Sequence, residues 1–381
     1  MTQGPSDDRR APRRRRRRVV AVASCAAMAV GMLGWSSASS APAVRGAASA
    51  VDPGAAPRGA AIASPAGWEP AAAPEGSLAA LARDVLAQNA TADPVAGLAT
   101  DLRDALGRAD ERESIDPVLA RTGRDLRSDM DPLGPRCTAE PGETRHEICV
   151  VGDPTATRRA AIIGSSHAMM WLPGLSAQAE RDGVQLAVYV KYGCSPFTFT
   201  MRRAGRPWAE CETWRDWAIG ELAARPPDLV LVASHIWVDI ASPDGAALRG
   251  REFDDAYAGG VGGLVARLGP ILAGGGRVTV LGDTTRRDRD PGRCAALRRG
   301  GFHRCEQRIT LDTVRLNDLT RWAAEAAGGA YYDPGELVCL EARCPVISGG
   351  RFVFRDRLGH VTASYSRHAG PALAARVGLG R

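Results

Sequence analysis

Near the middle of the 381-residue chain, Gly164-Ser165-Ser166-His167 separates two different patterns. Residues 160–163 (AAII) are a short apolar run, the length of a buried strand, and from 168 to 179 the apolar spacing turns helical. A strand that turns sharply into a helix, with a small hydroxyl residue at the turn, can present a serine as a nucleophile. The turn lifts Oγ clear of the sheet, and the helix N-terminus behind it favours developing negative charge. On its own the stretch also reads as a strand-end glycine followed by a serine N-cap, which is common in α/β proteins. Near the C-terminus, residues 354–362 (FRDRLGHVT) set Asp356 four residues before His360, ahead of a last helix. A hydroxyl attacks an ester carbonyl only if a base takes its proton and donors hold the oxyanion. Ser166 is the expected nucleophile, His360 its base, and Asp356 the carboxylate that fixes the imidazole tautomer. The plainer alternative for Asp356 and His360 is a loop salt bridge with a helix cap.

Taken together, the Gly-Ser-Ser-His turn and the late Asp356, His360, Thr362 and Tyr365 resemble the SGNH (GDSL-like) hydrolases. The resemblance is above all to the extracytoplasmic SGNH domains attached to membrane acyltransferases that modify bacterial surface glycans. Those domains share a Gly-Asp-Ser-His turn after the first strand and a late Asp and His followed by Leu-Thr and Tyr. They also show a Gly-Cys-Pro-Pro-like segment after the second strand, matched by Gly193-Cys194-Ser195-Pro196. The likeness spans residues 115–379. It implies an oxyanion hole built from the N–H groups of Ser166 and Gly193. No asparagine is present for a third donor, because Ser234-His235-Ile236-Trp237 stands where Gly-x-Asn-Asp would be. His235 reads either as a contributor or as a strand cap, and His167 as a pocket residue rather than a second base. Two departures stand out. The aspartate before the nucleophile is Ser165, a loss expected to loosen the turn. The Asp-x-x-x-His spacing is one residue longer than the commoner form, and Gly359 is expected to absorb the extra residue in a tight turn.

The elements that must position these residues alternate along the chain. After residues 160–163, strands are predicted over 185–191, 228–234, 276–283 and 330–333, and helices over 210–224, 254–273, 309–327 and 364–377. Continuous apolar strands between helices imply a parallel sheet covered on both faces. The predicted fold is α/β: a three-layer α/β/α sandwich with a mostly parallel five-stranded sheet of the SGNH or flavodoxin-like kind and disulfide-stapled loops. In such sheets the site lies at the carboxyl ends of the strands, where Ser166, Gly193, Ser234 and Asp283 all fall.

A composition 45% hydrophobic and 24% charged is enough for one large domain with extensions. The formal charge of +6 arises wholly within residues 1–18, which carry eight Arg and two Asp. The balanced remainder offers no basic face for a nucleic-acid partner. Arg13 to Arg18 precede the uncharged run 19–35, the pattern of an export signal. Residues 1–43 are read as that signal or, uncleaved, as a single membrane anchor. Residues 44–76 are read as a disordered Ala/Pro linker, 77–114 as a helical stalk or packing segment with helices over 77–88 and 94–107, and 115–381 as the SGNH hydrolase-like domain. Eight cysteines remain besides Cys25, in local pairs: Cys137 and Cys149, Cys194 and Cys211, Cys294 and Cys305, Cys339 and Cys344. An even number in an exported chain argues for disulfides over metal, and the histidines lack zinc-ligand spacing. No metal and no cofactor are expected. Trp171, Trp208, Trp214, Trp217 and Trp237 are either core or platforms for sugar rings.

The resulting expectation is an extracytoplasmic serine esterase or O-acyltransferase, secreted or tethered to the cytoplasmic membrane by its N-terminal segment. It would act on acyl esters of a cell-envelope or secreted glycan through an acyl-Ser166 intermediate. Its expected partners are an acylated carbohydrate or small ester and a membrane protein that supplies the acyl donor, with Trp237, His167 and His235 as pocket residues. The alternative is a catalytically silent envelope protein that binds glycan with the same fold. A protease fits the turn and the short Asp-to-His spacing less well, and no separated carboxylate pair marks a glycosidase.

Overall fold

The computed structural model describes residues 93–107, 126–134, 136–296 and 302–380. The expected signal or anchor, the linker and the helix over 77–88 lie outside the described residues. Two short strands, β1 (Thr138–Ala139) and β2 (Cys149–Gly152), precede β3 (Arg158–Gly164), β4 (Val184–Lys191), β5 (Leu229–Ala233), β6 (Arg277–Leu281) and β7 (Ala330–Tyr332). The sheet order is β1-β4-β3-β5-β6-β7, all parallel, with β2 antiparallel to β4. The strands β3 to β7 are the five predicted from apolar runs. The two extra strands are short enough that no hydrophobic period marks them. They share one edge of β4, with Thr138 opposite Val190 and Cys149 opposite Val188, and the Cys137–Cys149 disulfide joins them.

The three layers follow from the side-chain alternation of the central strand, since successive residues point to opposite faces of a sheet. Ala160 and Ile162 of β3 enter a core with α2 (Ser166–Met169), α3 (Leu172–Arg181) and α7 (Ala363–Val377). Ala161 and Ile163 enter a second core built from α4 (Ala209–Ala224), α5 (Gly250–Arg267) and α6 (Leu311–Ala326). The helix α1 (Asp93–Gly107) adds Val95 and Leu98 to the first core, and its Asp101 pairs with His368 of α7 at 2.8 Å. The helix expected over 168–179 is broken at Met170 and Trp171, because Pro173 lacks the N–H that a continuing helix needs and suits a helix start instead. Pro270 divides the segment 254–273 in the same way.

Three features carry the fold to the site. The end of β3 is crowded: a Cβ on Gly164 would lie 1.8 Å from the Ala233 carbonyl oxygen of β5. On the far side, α3 and α7 pack backbone to backbone, with the Gly174 N–H donating to Ser366 Oγ at 3.2 Å. The start of α7 is pinned as well. Thr362 caps it through a bond from the Tyr365 N–H, Asp129 accepts from the Ser364 N–H and hydroxyl, and the Tyr365 hydroxyl donates to the Leu337 carbonyl. All four local cysteine pairs are disulfides, and Cys194–Cys211 ties the segment after β4 to α4. Gly164→Ala is predicted to lower folding stability by about 2 kcal/mol or more, since backbone on a central strand cannot yield to the added methyl. Urea denaturation checks this, and an unchanged midpoint would contradict it.

Candidate active site

The turn after β3 is built by Ser165. Its N–H donates to the Ala233 carbonyl at 3.2 Å, holding the chain against β5 for one residue past the strand. Its hydroxyl oxygen accepts from the His167 N–H at 3.3 Å, as an N-cap does, and from the His235 N–H at 3.2 Å. The turn is therefore braced by the serine hydroxyl itself, in the place where the resemblance implied a carboxylate. Ser166 then opens α2 with its side chain half-buried. Its N–H belongs to the first helical turn, where backbone donors have no intrahelical acceptor.

His360 reaches this serine from the other end of the chain. Its Nε2 lies 2.8 Å from Ser166 Oγ, and its Nδ1 lies 2.7 Å from Asp356 Oδ2. The Asp356–His360 loop is the tip of a small hairpin, closed by a bridge between Phe354 and Val361 and by the Arg355 N–H donating to the His360 carbonyl at 2.9 Å. The second oxygen of Asp356 accepts from the Leu358 N–H at 2.9 Å and the His360 N–H at 3.3 Å. Gly359 takes up the additional residue at φ 88°, in the left-handed region that favours glycine. Its carbonyl accepts from the Thr284 hydroxyl at 2.7 Å, so the loop is anchored to the carboxyl end of β6. Burial pushes the His360 imidazole below its ordinary value, and nearby His167 adds to this against the pull of Asp356. Burial alone would raise the Asp356 carboxyl, but the bond and charge of His360, with Arg355 nearby, hold it below the usual carboxylate range.

A second histidine–carboxylate pair lies beside the first. His167 Nδ1 meets Asp283 Oδ1 at 2.5 Å, both side chains are nearly inaccessible, and the His167 and His360 rings are 4.6 Å apart. Asp283 also accepts from the Thr284 N–H at 2.8 Å and the Ile236 N–H at 3.1 Å. The side chain of Asn317 on α6 brackets its backbone with two bonds of 2.9 Å. Sequence reasoning placed Asp283 at a strand end but gave it no partner, and it passed over Asn317. The available signal was a buried-strand terminus ending in Gly-Asp.

His235 closes the row, its ring 5.8 Å from that of His167 and its Nδ1 3.3 Å from Ser165 Oγ. Two backbone N–H groups already donate to that oxygen, so the hydroxyl proton is left for Nδ1. The ring hydrogen of His235 is therefore on Nε2. Burial, reinforced by His167, pushes the imidazole down to about 4, which keeps it neutral at physiological pH. Gly193, at φ 73°, is exposed three residues beyond Val190, the strand neighbour of Gly164. Its loop thus runs along the same end of the sheet as the Ser166 turn. Of the tryptophans, Trp171, Trp208 and Trp214 are buried in the core and closed to sugar, and Trp217 packs at its margin. Trp237 is half-buried, with the Arg286 guanidinium 5.5 Å over its ring. Among the described residues no group of three or more His, Cys, Asp or Glu converges as a metal site. In a nitrogen-resolved NMR titration, His235 is predicted to stay in the neutral Nε2–H form until the pH approaches about 4. A His235 that titrates near the ordinary imidazole value would contradict the assignment.

Among curated proteins no sequence matches this chain. Among the solved structures that match it are two of low identity. One is the periplasmic domain of a lipopolysaccharide acetyltransferase from Salmonella ser. Paratyphi A: 13% identity, TM-score 0.47, 71% of this chain and 99% of that one. The other is a candidate acylhydrolase of Bacteroides fragilis: 11% identity, TM-score 0.34, 69% of this chain and 98% of that one. A family model for SGNH domains fused to AT3 domains matches residues 136–375, which hold the whole sheet and both ends of the Ser166–His360–Asp356 chain. This protein belongs to that SGNH domain family.

Proposed function

We propose that the domain is an extracytoplasmic serine esterase or O-acyltransferase acting on acyl esters of a cell-envelope or secreted glycan. The observation that carries the proposal is the unbroken hydrogen-bond chain from Ser166 Oγ through His360 to Asp356, at 2.8 and 2.7 Å. In this reading Ser166 Oγ attacks the acyl carbon while its proton passes to His360 Nε2, and Asp356 stabilises the imidazolium. The oxyanion is held by the N–H groups of Ser166 and Gly193, with the Nε2–H of His235 as the third donor where the resemblance leaves no asparagine. The bond from the acyl carbon to the leaving oxygen then breaks, and His360 returns the proton to that oxygen. A second nucleophile then resolves the acyl-Ser166 ester: its proton goes to His360, its oxygen bonds to the acyl carbon, the bond from that carbon to Ser166 Oγ breaks, and His360 returns the proton to Oγ. Water makes the protein an esterase, and a sugar hydroxyl makes it a transferase.

Independent chemistry supports the extracytoplasmic location. Four disulfides belong in an oxidising compartment. The arginine block and apolar run of residues 13–35 suit an export signal or a membrane tether. A membrane protein that delivers the acyl group is the partner this reading requires for transfer. A silent glycan-binding protein, by contrast, has no use for a hydroxyl, an imidazole and a carboxylate in bonding register.

Labelling of the oxidised protein with a fluorophosphonate probe tests the proposal. Wild type is predicted to label and Ser166→Ala not to; absence of labelling in folded wild type would count against it. On a neutral ester such as 4-nitrophenyl acetate, Ser166→Ala is predicted to lower kcat/KM by about four orders of magnitude. The base must be neutral to accept a proton, and burial lowers its pKa, so activity should persist as pH falls past the ordinary value. The acidic limb of kcat/KM is predicted to have its midpoint below about 6.5. A midpoint above that value would remove His360 from the role.

A further inference from the structure

Past the carboxyl end of β6 stands a carboxylate to which the chemistry above gives no task. Asp283, two residues beyond the strand, is 2% exposed and hydrogen-bonds to neither Ser166 nor His360. Its backbone is fixed first, because Asn317 on α6 accepts from its N–H and donates to its carbonyl, both at 2.9 Å. The carboxylate is thus aimed by the backbone that carries it. Oδ1 accepts from the Thr284 N–H at 2.8 Å and meets His167 Nδ1 at 2.5 Å, while Oδ2 accepts from the Ile236 N–H at 3.1 Å. An ionised carboxylate only accepts, so Nδ1 of His167 carries the ring hydrogen. Burying a charge is unfavourable unless it is hydrogen-bonded, and three donors on two oxygens meet that need from within the protein.

The two segments that this carboxylate joins are those that carry oxyanion donors in the proposed reaction. His167 follows Ser166, whose N–H is one donor, and Ile236 follows His235, whose Nε2–H is another. The same segments are bridged a second time by Ser165 Oγ, which accepts from the His167 N–H at 3.3 Å and the His235 N–H at 3.2 Å. The helix start after β3 and the segment after β5 therefore share two oxygens. The hydroxyl of Thr284, next to Asp283, donates to the Gly359 carbonyl at 2.7 Å, which refers the His360 loop to the same anchor. Two adjacent residues past β6 thus set the spacing of three segments that are far apart in sequence. Donors stabilise an oxyanion best when they are already in place, because turning them during the reaction costs what their bonds would gain.

We propose that Asp283 is a positioning residue of the acyl-transfer site: through the His167 ring and the Ile236 N–H it holds the Ser166 and His235 oxyanion donors at one spacing, and neither it nor His167 carries a proton in the reaction. The inference rests on the reading of Ser166 as nucleophile and of His235 as an oxyanion donor. Asp283→Asn keeps the shape but turns one acceptor into a donor. Whichever way the amide lies, its NH2 faces either the His167 ring hydrogen or the Ile236 N–H. Turnover of 4-nitrophenyl acetate by the oxidised protein is measured per serine titrated to end point with the fluorophosphonate probe. Asp283→Asn is predicted to lower kcat per site about a hundredfold and to change KM less than about threefold. A residue that only stabilised the fold would reduce the number of titrated sites and leave kcat per site unchanged. His167→Ala is predicted to lose about as much as Asp283→Asn. His167→Asn, whose amide nitrogen takes the place of Nδ1, is predicted to recover about tenfold or more of that loss. An unchanged kcat per site in Asp283→Asn, or a His167→Asn as slow as His167→Ala, would overturn the proposal, the latter by making the imidazole itself a proton carrier. Either result in a protein whose wild type labels sinks this inference alone. Wild type that does not label sinks the reading of Ser166 and this inference with it.

Discussion

Everything at the active end of the molecule depends on the lack of space at the end of β3. That strand is central: all seven of its residues pair with β4, and five pair with β5. At its last residue the Ala233 carbonyl occupies the position that a side chain would need, so the chain leaves the sheet at a glycine and turns at once into a helix. A slower exit would bury Ser166 in the strand layers or carry it past the reach of His360. The abrupt exit also leaves two serines side by side with separate tasks. Ser165, fully buried, braces the turn through backbone donors from two elements, while Ser166 is left half-open at the helix start.

The second half of the site is delivered by packing. His360 stands two residues before Thr362, the N-cap of α7, and α7 lies against α3 with glycine facing glycine, Gly174 to Gly370. The close approach of the two backbones sets the separation of the helices that follow Ser166 and His360. The loop between Asp356 and His360 is held from a third direction by Thr284, at the end of β6. Two carboxylates, buried Asp283 and half-buried Asp356, serve adjacent imidazoles, and His235 is kept neutral by burial beside them. Burial lowers the pKa of both His235 and His360, and the neighbouring rings add to the effect, which favours the neutral form of those two imidazoles.

Much of this was legible in the sequence because the features that matter are periodic or punctuated. Five apolar runs marked β3 to β7, and the glycine and serine after residues 160–163 marked the turn. The Asp-x-x-x-His spacing read correctly with Gly359 as the tight turn. Other parts left no local signal. β1 has only two residues and β2 (CVVG) is largely half-exposed, so neither reads as a buried apolar run; both pair with the edge of β4, where the Cys137–Cys149 disulfide ties them together. Asp283 and Asn317 are separated by 34 residues and meet only when α6 packs on the sheet. Ser165 was read as a lost carboxylate, since sequence cannot show that backbone donors from His167 and His235 would converge on its hydroxyl. Trp237 could not be told from the core tryptophans by composition, because burial is a property of the fold.

The proposed chemistry requires that Ser166 become covalently acylated, with His360 as its base. The most direct measurement is intact-protein and peptide mass spectrometry after brief reaction with 4-nitrophenyl acetate and an acid quench. A mass increment of one acetyl group is expected on the peptide containing Ser166, absent in Ser166→Ala and greatly slowed in His360→Ala. Product release with no acetylated Ser166 peptide, or acetyl on another residue with Ser166→Ala unaffected, would contradict it.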